Sequence, residues 1–81
     1  MFVVYSKKGC PFCEKFKQVL EIEGLPNLIL ELDIDFTYKE FYDMFGNGTT
    51  FPQVIMDDIP LGGCQESLRY MQKNNICCEI L

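Results

Sequence analysis

Histidine is absent from this 81-residue sequence, and no apolar run approaches the roughly 20 residues needed to span a bilayer. Without histidine, a structural zinc site, which normally takes four Cys or His ligands, has only cysteine to draw on. Five cysteines are present: Cys10 and Cys13 form a close pair, Cys77 and Cys78 are adjacent, and Cys64 stands alone. A tetrahedral site would need an unusual arrangement, so no metal is expected. Cations are also scarce, with seven Lys and Arg against twelve Asp and Glu and a formal net charge of −5. That excludes a sequence-independent grip on nucleic acid phosphates. The N-terminus lacks the basic stretch and cleavage site of a signal peptide. An odd cysteine count with a close pair also argues against a secreted disulfide scaffold. The expectation is a cytoplasmic protein with no membrane partner.

What is present is ample core-forming material. Apolar residues make up 48% and aromatics 14%, against 23% charged, which suits a globular chain rather than a disordered one. No repeat, linker or low-complexity stretch divides it, so residues 1–81 are read as one domain. Charge is unevenly spread. Lys7, Lys8, Lys15 and Lys17, four of the seven cations, fall within seven positions of Cys10.

Phe2 to Tyr5 reads as a buried strand ending in Ser6-Lys7-Lys8-Gly9. Pro11 marks the first position of a helix, because that N–H has no helical partner, and this makes Cys10 the N-cap. Phe12, Phe16, Val19 and Leu20 follow at helical spacing until Gly24 and Pro26 end the segment. Asn27 to Ile34 predicts a second strand with alternating acids. Thr37 with Glu40 forms a capping box for a second helix whose apolar stripe is Tyr38, Phe41, Tyr42 and Phe45, closed by Gly46-Asn47-Gly48. Gln53 to Met56 and Ile59 to Leu61 flank Asp57-Asp58 as a hairpin, and Gly62-Gly63 precedes a last helix over about residues 65 to 74. The order is β-α-β-α-β-β-α. This is an α/β fold with a four-stranded mixed sheet, a right-handed first crossover and helices on both faces.

The pair Cys10-Pro11-Phe12-Cys13 carries the chemistry. Thiol-disulfide exchange needs a thiolate, a second thiol to release the mixed disulfide, and access for the incoming sulfur. Unpaired N–H groups and the dipole at a helix N-terminus favour a thiolate at Cys10, and Lys7 and Lys8 add positive charge. Cys10 is therefore the expected nucleophile. Cys13, one turn inward on the same face, is the expected resolving thiol.

Three ordered segments resemble the glutaredoxins of the thioredoxin fold. They are Tyr5-Ser6-Lys7-Lys8-Gly9-Cys10-Pro11-Phe12-Cys13, the loop Thr50-Phe51-Pro52, and the turn Gly62-Gly63-Cys64. The likeness runs along nearly the whole chain in family order. It implies a glutathione-dependent oxidoreductase that reduces glutathione mixed disulfides and protein disulfides, with glutathione as co-substrate and no resident metal. It also implies a monomer whose protein partners include ribonucleotide reductase.

By the same resemblance, Lys7 pairs with a glutathione carboxylate and Phe12 forms the aromatic edge of a groove. Thr50 belongs to the loop, the Phe51 backbone pairs with glutathione as an added strand, and Pro52 is cis. Gly63, Cys64 and Gln65 lie at a helix start that receives the γ-glutamyl carboxylate. Departures from the family pattern are Phe51 in place of a β-branched residue, and Gln65-Glu66 in place of an acidic Asp or Ser-Asp. The turn Gly46-Asn47-Gly48-Thr49 is also one residue longer, which bears on Lys39 as a second carboxylate partner. A thioredoxin-like donor reduced by a flavin reductase is the near alternative, against which Lys7 and Gly62-Gly63-Cys64 speak. The more distant one is an iron-sulfur module ligated by Cys10 and glutathione between two subunits, against which Pro11 speaks. Cys64, Cys77 and Cys78 are expected to pack as small apolar residues, with the tail from Ile76 to Leu81 covering the sheet.

Overall fold

Alternate residues of the first strand, β1 (Phe2–Ser6), are buried, which fits its apolar sequence placed at the centre of a sheet. The computed structural model describes residues 1–76, so Cys77, Cys78 and the rest of the expected tail lie outside the described residues. Ile76 itself packs against the core.

Helix α1 (Pro11–Ile22) begins at Cys10, with Pro11 in its first turn, and buries Cys13, Phe16, Val19 and Leu20. It ends as Gly24 and Pro26 suggest. Gly24 takes a φ of 64°, and the Leu25 N–H donates to the Leu20 carbonyl at 3.0 Å, the long-range bond of a Schellman stop.

Strand β2 (Asn27–Glu31) is shorter than the Asn27 to Ile34 segment read from sequence. The alternating acids make a turn rather than a strand edge. The Asp35 carboxylate accepts from the Glu31 N–H at 2.8 Å, the Asp35 N–H donates to the Glu31 carbonyl at 2.8 Å, and Asp33 takes a φ of 68°. An aspartate that hydrogen-bonds nearby backbone competes with a strand ladder, and here the local bonds win. The turn leaves Ile34 69% exposed at its tip.

Helix α2 (Tyr38–Phe45) opens with the expected capping box. The Glu40 N–H donates to the Thr37 hydroxyl at 3.2 Å, and the Thr37 N–H donates to the Glu40 carboxylate at 2.8 Å. Strands β3 (Gln53–Met56) and β4 (Ile59–Gly62) are joined through Asp57 and Asp58, both at positive φ, the backbone a tight hairpin requires. Helix α3 (Cys64–Lys73) starts one residue earlier than expected, with Gly63 as its N-cap.

The sheet order is β2-β1-β3-β4, with β1 parallel to β2 and antiparallel to β3, and β3 antiparallel to β4. Pro60 falls on the edge strand β4, where its missing N–H interrupts no central ladder. On one face, Phe2, Val4 and Val54 meet Phe16, Val19 and Leu20 of α1 and Cys64, Leu68 and Met71 of α3. On the other, Tyr5 meets Phe36, Phe41 and Phe45 with ring centroids 5.1 to 6.5 Å apart, so α2 covers the opposite side through aromatics. Helices therefore flank the sheet on both faces. Among the described residues no helix is long and apolar enough to cross a membrane.

Candidate functional site

Tyr5 and Ser6 end the central strand, and the chain turns through Lys7, Lys8 and Gly9 before α1 begins. Gly9 adopts a φ of 71°, a left-handed conformation that glycine reaches without a Cβ penalty. The turn delivers Cys10 to the helix N-cap, where its sulfur accepts the Cys13 N–H at 3.2 Å. Cys10 and Cys13 are joined as a disulfide with their Cα atoms 5.2 Å apart, within the usual span for such a bridge. Cys13 is fully buried while Cys10 keeps 7% of its surface open. The outer and inner thiols are thus Cys10 and Cys13, in the order their spacing suggested.

Beside the pair runs a groove of about 230 Å³ lined by Phe12, Thr50, Phe51, Pro52, Gly63, Cys64, Gln65 and Glu66. Three separated segments supply it: the start of α1, the loop before β3, and the start of α3. The Phe51–Pro52 peptide is cis. Among the described residues no backbone hydrogen bond uses the N–H or C=O of Phe51, so both groups are available to an extended ligand. Phe12 is 53% exposed, an aromatic surface at the mouth rather than in the core.

Lys7, expected from the sequence to meet a glutathione carboxylate, does not line this cavity. It lines a neighbouring hollow of about 530 Å³ with Lys8, Gly9, Glu31, Leu32, Asp33, Ile34 and Tyr38. Its ammonium nevertheless lies 5.2 Å from the centre of the Phe51 ring, on the boundary between the two. Lys8 turns instead toward Glu31, with nitrogen and carboxylate 4.0 Å apart. Lys39 does not line the groove, and its ammonium pairs with Asp43 at 2.9 Å along α2.

Glu66 lines the groove although sequence reading did not select it. A Cβ added at Gly63 would come within 3.0 Å of the Glu66 Oε1, so this side chain folds back over the Gly62-Gly63 turn toward the helix N-terminus. An acid at the third helical position often folds back in this way, and that is the signal through which it was legible. Cys64, buried beneath the groove, has its thiol pushed above the ordinary range by burial; Lys15 opposes the shift and Glu66 adds to it. A raised pKa leaves little thiolate, so Cys64 is poorly suited to exchange. The arrangement as a whole presents a disulfide-bonded cysteine pair at a helix start, an anion-compatible second helix start, and free backbone between them.

Comparisons with known proteins match this geometry. A family model described as Glutaredoxin covers residues 2–59. Glutaredoxin-C6 of rice (Oryza sativa subsp. japonica) is 35% identical over 69 residues, which is 82% of this chain and 62% of the rice protein; the chain thus spans under two thirds of that relative. Glutaredoxin 3 of Escherichia coli K12 is 30% identical over 63 residues, covering 78% of this chain and 76% of that protein. Among solved structures, glutaredoxin 1 from Francisella tularensis, complexed with cacodylate, superposes with a TM-score of 0.76 at 26% identity, over 93% of this chain and 94% of that one. A buckwheat glutaredoxin solved with glutathione reaches a TM-score of 0.77 at 23% identity, over 93% and 71% of the two chains, a likeness of fold alone.

Proposed function

The chain belongs to the glutaredoxin family, and from that premise we propose that it is a glutathione-dependent thiol-disulfide oxidoreductase acting through Cys10 and Cys13. The observation that carries the reading is the groove. Residues far apart in sequence, Phe12, the Thr50-Phe51-Pro52 loop and Gly63 to Glu66, converge beside the dithiol on a cleft of peptide dimensions.

In the proposed reaction the Cys10 thiolate attacks the glutathione sulfur of a mixed disulfide. A Cys10–glutathione disulfide forms, and the substrate sulfur leaves as a thiolate that takes a proton from solvent. A second glutathione thiolate attacks the glutathione sulfur of that bond and departs as oxidised glutathione, restoring the Cys10 thiolate. With a protein disulfide, the Cys10 thiolate bonds one substrate sulfur as the substrate S–S bond breaks, and the other substrate sulfur leaves as a thiolate that takes a proton from solvent. Cys13 then loses its proton and attacks Cys10, releasing the reduced protein and leaving the Cys10–Cys13 bridge for two glutathiones to reduce.

The chain's own groups assist each stage. The α1 N-terminus and the Cys13 N–H stabilise negative sulfur at Cys10. The Phe51 backbone aligns the glutathione cysteine, Phe12 covers it, and Cys64 and Gln65 offer N–H groups at the start of α3 to a carboxylate. Lys7 meets the second carboxylate from the opposite end. The proposal includes a monomer in a reducing cytoplasm, with disulfide-bearing proteins such as ribonucleotide reductase as partners.

The test is reduction of a small glutathione mixed disulfide with NADPH, glutathione and glutathione reductase, run beside a parallel assay with thioredoxin reductase. Turnover confined to the glutathione system supports the reading. Turnover confined to thioredoxin reductase overturns it.

A further inference from the structure

Phe51 carries an unexpectedly large ring where the family favours a β-branched side chain, and that ring is held on several sides. Its centroid lies 4.1 Å from that of Phe41, 6.2 Å from Phe36 and 6.0 Å from Tyr38, so the cluster under α2 fixes its position. The Lys7 ammonium sits over it at 5.2 Å, within cation–π range. Lys8, Lys17 and Lys39 each have a carboxylate within salt-bridge distance, whereas among the described residues Lys7 has none. A lysine on a four-carbon stem otherwise samples many rotamers, and holding it on a ring lowers the entropy lost when it meets a ligand.

We propose that Phe51 is a positioning residue that holds the Lys7 ammonium at the groove rim for a substrate carboxylate, an assignment that rests on the glutathione reading above. The fixed ring lies between the aromatic cluster and the lysine, so the packing that stabilises the α2 face of the sheet also sets the location of the charge that selects an anionic thiol peptide. The backbone of Phe51 and its side chain then serve the same ligand in different ways. The backbone pairs with the extended peptide, and the ring places the cation at one end of it.

The experiment is a double-mutant cycle on Phe51→Leu and Lys7→Gln, with KM and kcat measured for a glutathione mixed disulfide and thermal stability followed for each protein. Leucine keeps apolar bulk but removes the ring face. Phe51→Leu is expected to raise KM about two- to five-fold, as loss of one exposed cation–π contact implies, with kcat little changed. Lys7→Gln raises KM at least as much, and the double variant matches Lys7→Gln alone. Phe51→Tyr, which keeps the ring face, restores the KM. A rise in KM from Phe51→Leu that persists in full in the Lys7→Gln background would show an effect of packing and overturn the proposal. So would an unchanged KM in Phe51→Leu beside a raised KM in Lys7→Gln, a result that leaves the glutathione reading standing. No effect of Lys7→Gln at all removes both the proposal and the assigned role of Lys7, while failure of the wild-type protein in the glutathione assay strikes the reading itself.

Discussion

The backbone N–H of Cys13 points at the sulfur of Cys10 from 3.2 Å, so the first turn of α1 is capped by the sulfur that the site exposes. An N-cap is normally an oxygen that accepts one of the unpaired N–H groups of the first turn. Sulfur in that place accepts best when it carries negative charge, which ties the cap to the reactivity of the thiol.

Selective alkylation follows from the contrast with Cys64. Burial raises the Cys64 thiol, so its thiolate fraction falls at neutral pH, whereas Cys10 stands at a helix N-terminus with the Cys13 N–H aimed at its sulfur. With the reduced protein at pH 7, peptide mapping after brief iodoacetamide treatment should find Cys10 modified at least about tenfold faster than Cys64. Raising the pH should narrow the ratio as Cys64 ionises. Equal rates at pH 7 would contradict the assignment.

The two cysteines should separate by substrate. In the proposed reaction a second glutathione releases the Cys10–glutathione intermediate, so Cys13→Ser is expected to keep reduction of small mixed disulfides and to lose most reduction of protein disulfides. Cys10→Ser should lose both, because an alcohol is too weakly acidic to exchange with sulfur. The measurement is initial rate on each substrate class for each variant. Activity retained by Cys10→Ser and lost by Cys13→Ser would reverse the roles.

Much of this was legible where a local rule has one outcome. Pro11 after a cysteine, Thr37 with Glu40, and Asp57-Asp58 between short strands each specify a cap or turn, and each is found. The end of β2 was not legible in the same way. Glu31, Asp33 and Asp35 alternate as a strand edge should, and the turn shows only in the Glu31–Asp35 hydrogen bonds and the left-handed Asp33. At the site, the order of the three motifs indicated a groove, but not the placement of individual side chains. The position of Lys7 depends on the Phe51 ring, which depends on Phe41 in another helix, and that relation is tertiary. Glu66 carries a local signal in its third helical position, but its reach into the groove depends on how closely α3 starts to the turn behind it.

Thr37→Ala tests the capping box as a stability element. It removes the acceptor for the Glu40 N–H and the hydroxyl contact to the returning Glu40 carboxylate, which keeps only the Thr37 N–H. The expected cost is about 1 kcal/mol, read as a lower denaturant midpoint with an unchanged slope. α2 also carries Phe41, which underlies Phe51, so a small rise in KM should accompany the loss. A midpoint equal to wild type would mean that the aromatic cluster alone holds the helix.

The adjacent glycines before α3 should respond to alanine in different ways. Gly62 has a φ of 97°, where any L side chain is strained, and its added Cβ would also meet the Glu66 Cβ at 3.2 Å. Gly62→Ala is therefore expected to lower stability by about 1–3 kcal/mol. Gly63 has an ordinary extended backbone, with a φ of −80°, so alanine there is tolerated conformationally. Its Cβ would instead approach the Glu66 Oε1 to 3.0 Å and the Pro52 carbonyl to 3.6 Å, inside the groove. The Glu66 carboxylate, at the end of a flexible side chain, can move aside, while the methyl group remains between α3 and the Pro52 loop. Gly63→Ala should thus keep a near-wild-type denaturation midpoint and raise KM for a glutathione mixed disulfide by about two- to tenfold, as loss of roughly 0.5–1.4 kcal/mol of contact implies. Equilibrium unfolding and steady-state kinetics on both variants separate the effects. A Gly63→Ala protein with unchanged KM would remove the start of α3 from the substrate site, and a Gly62→Ala protein as stable as wild type would show that the turn can relax out of its left-handed conformation.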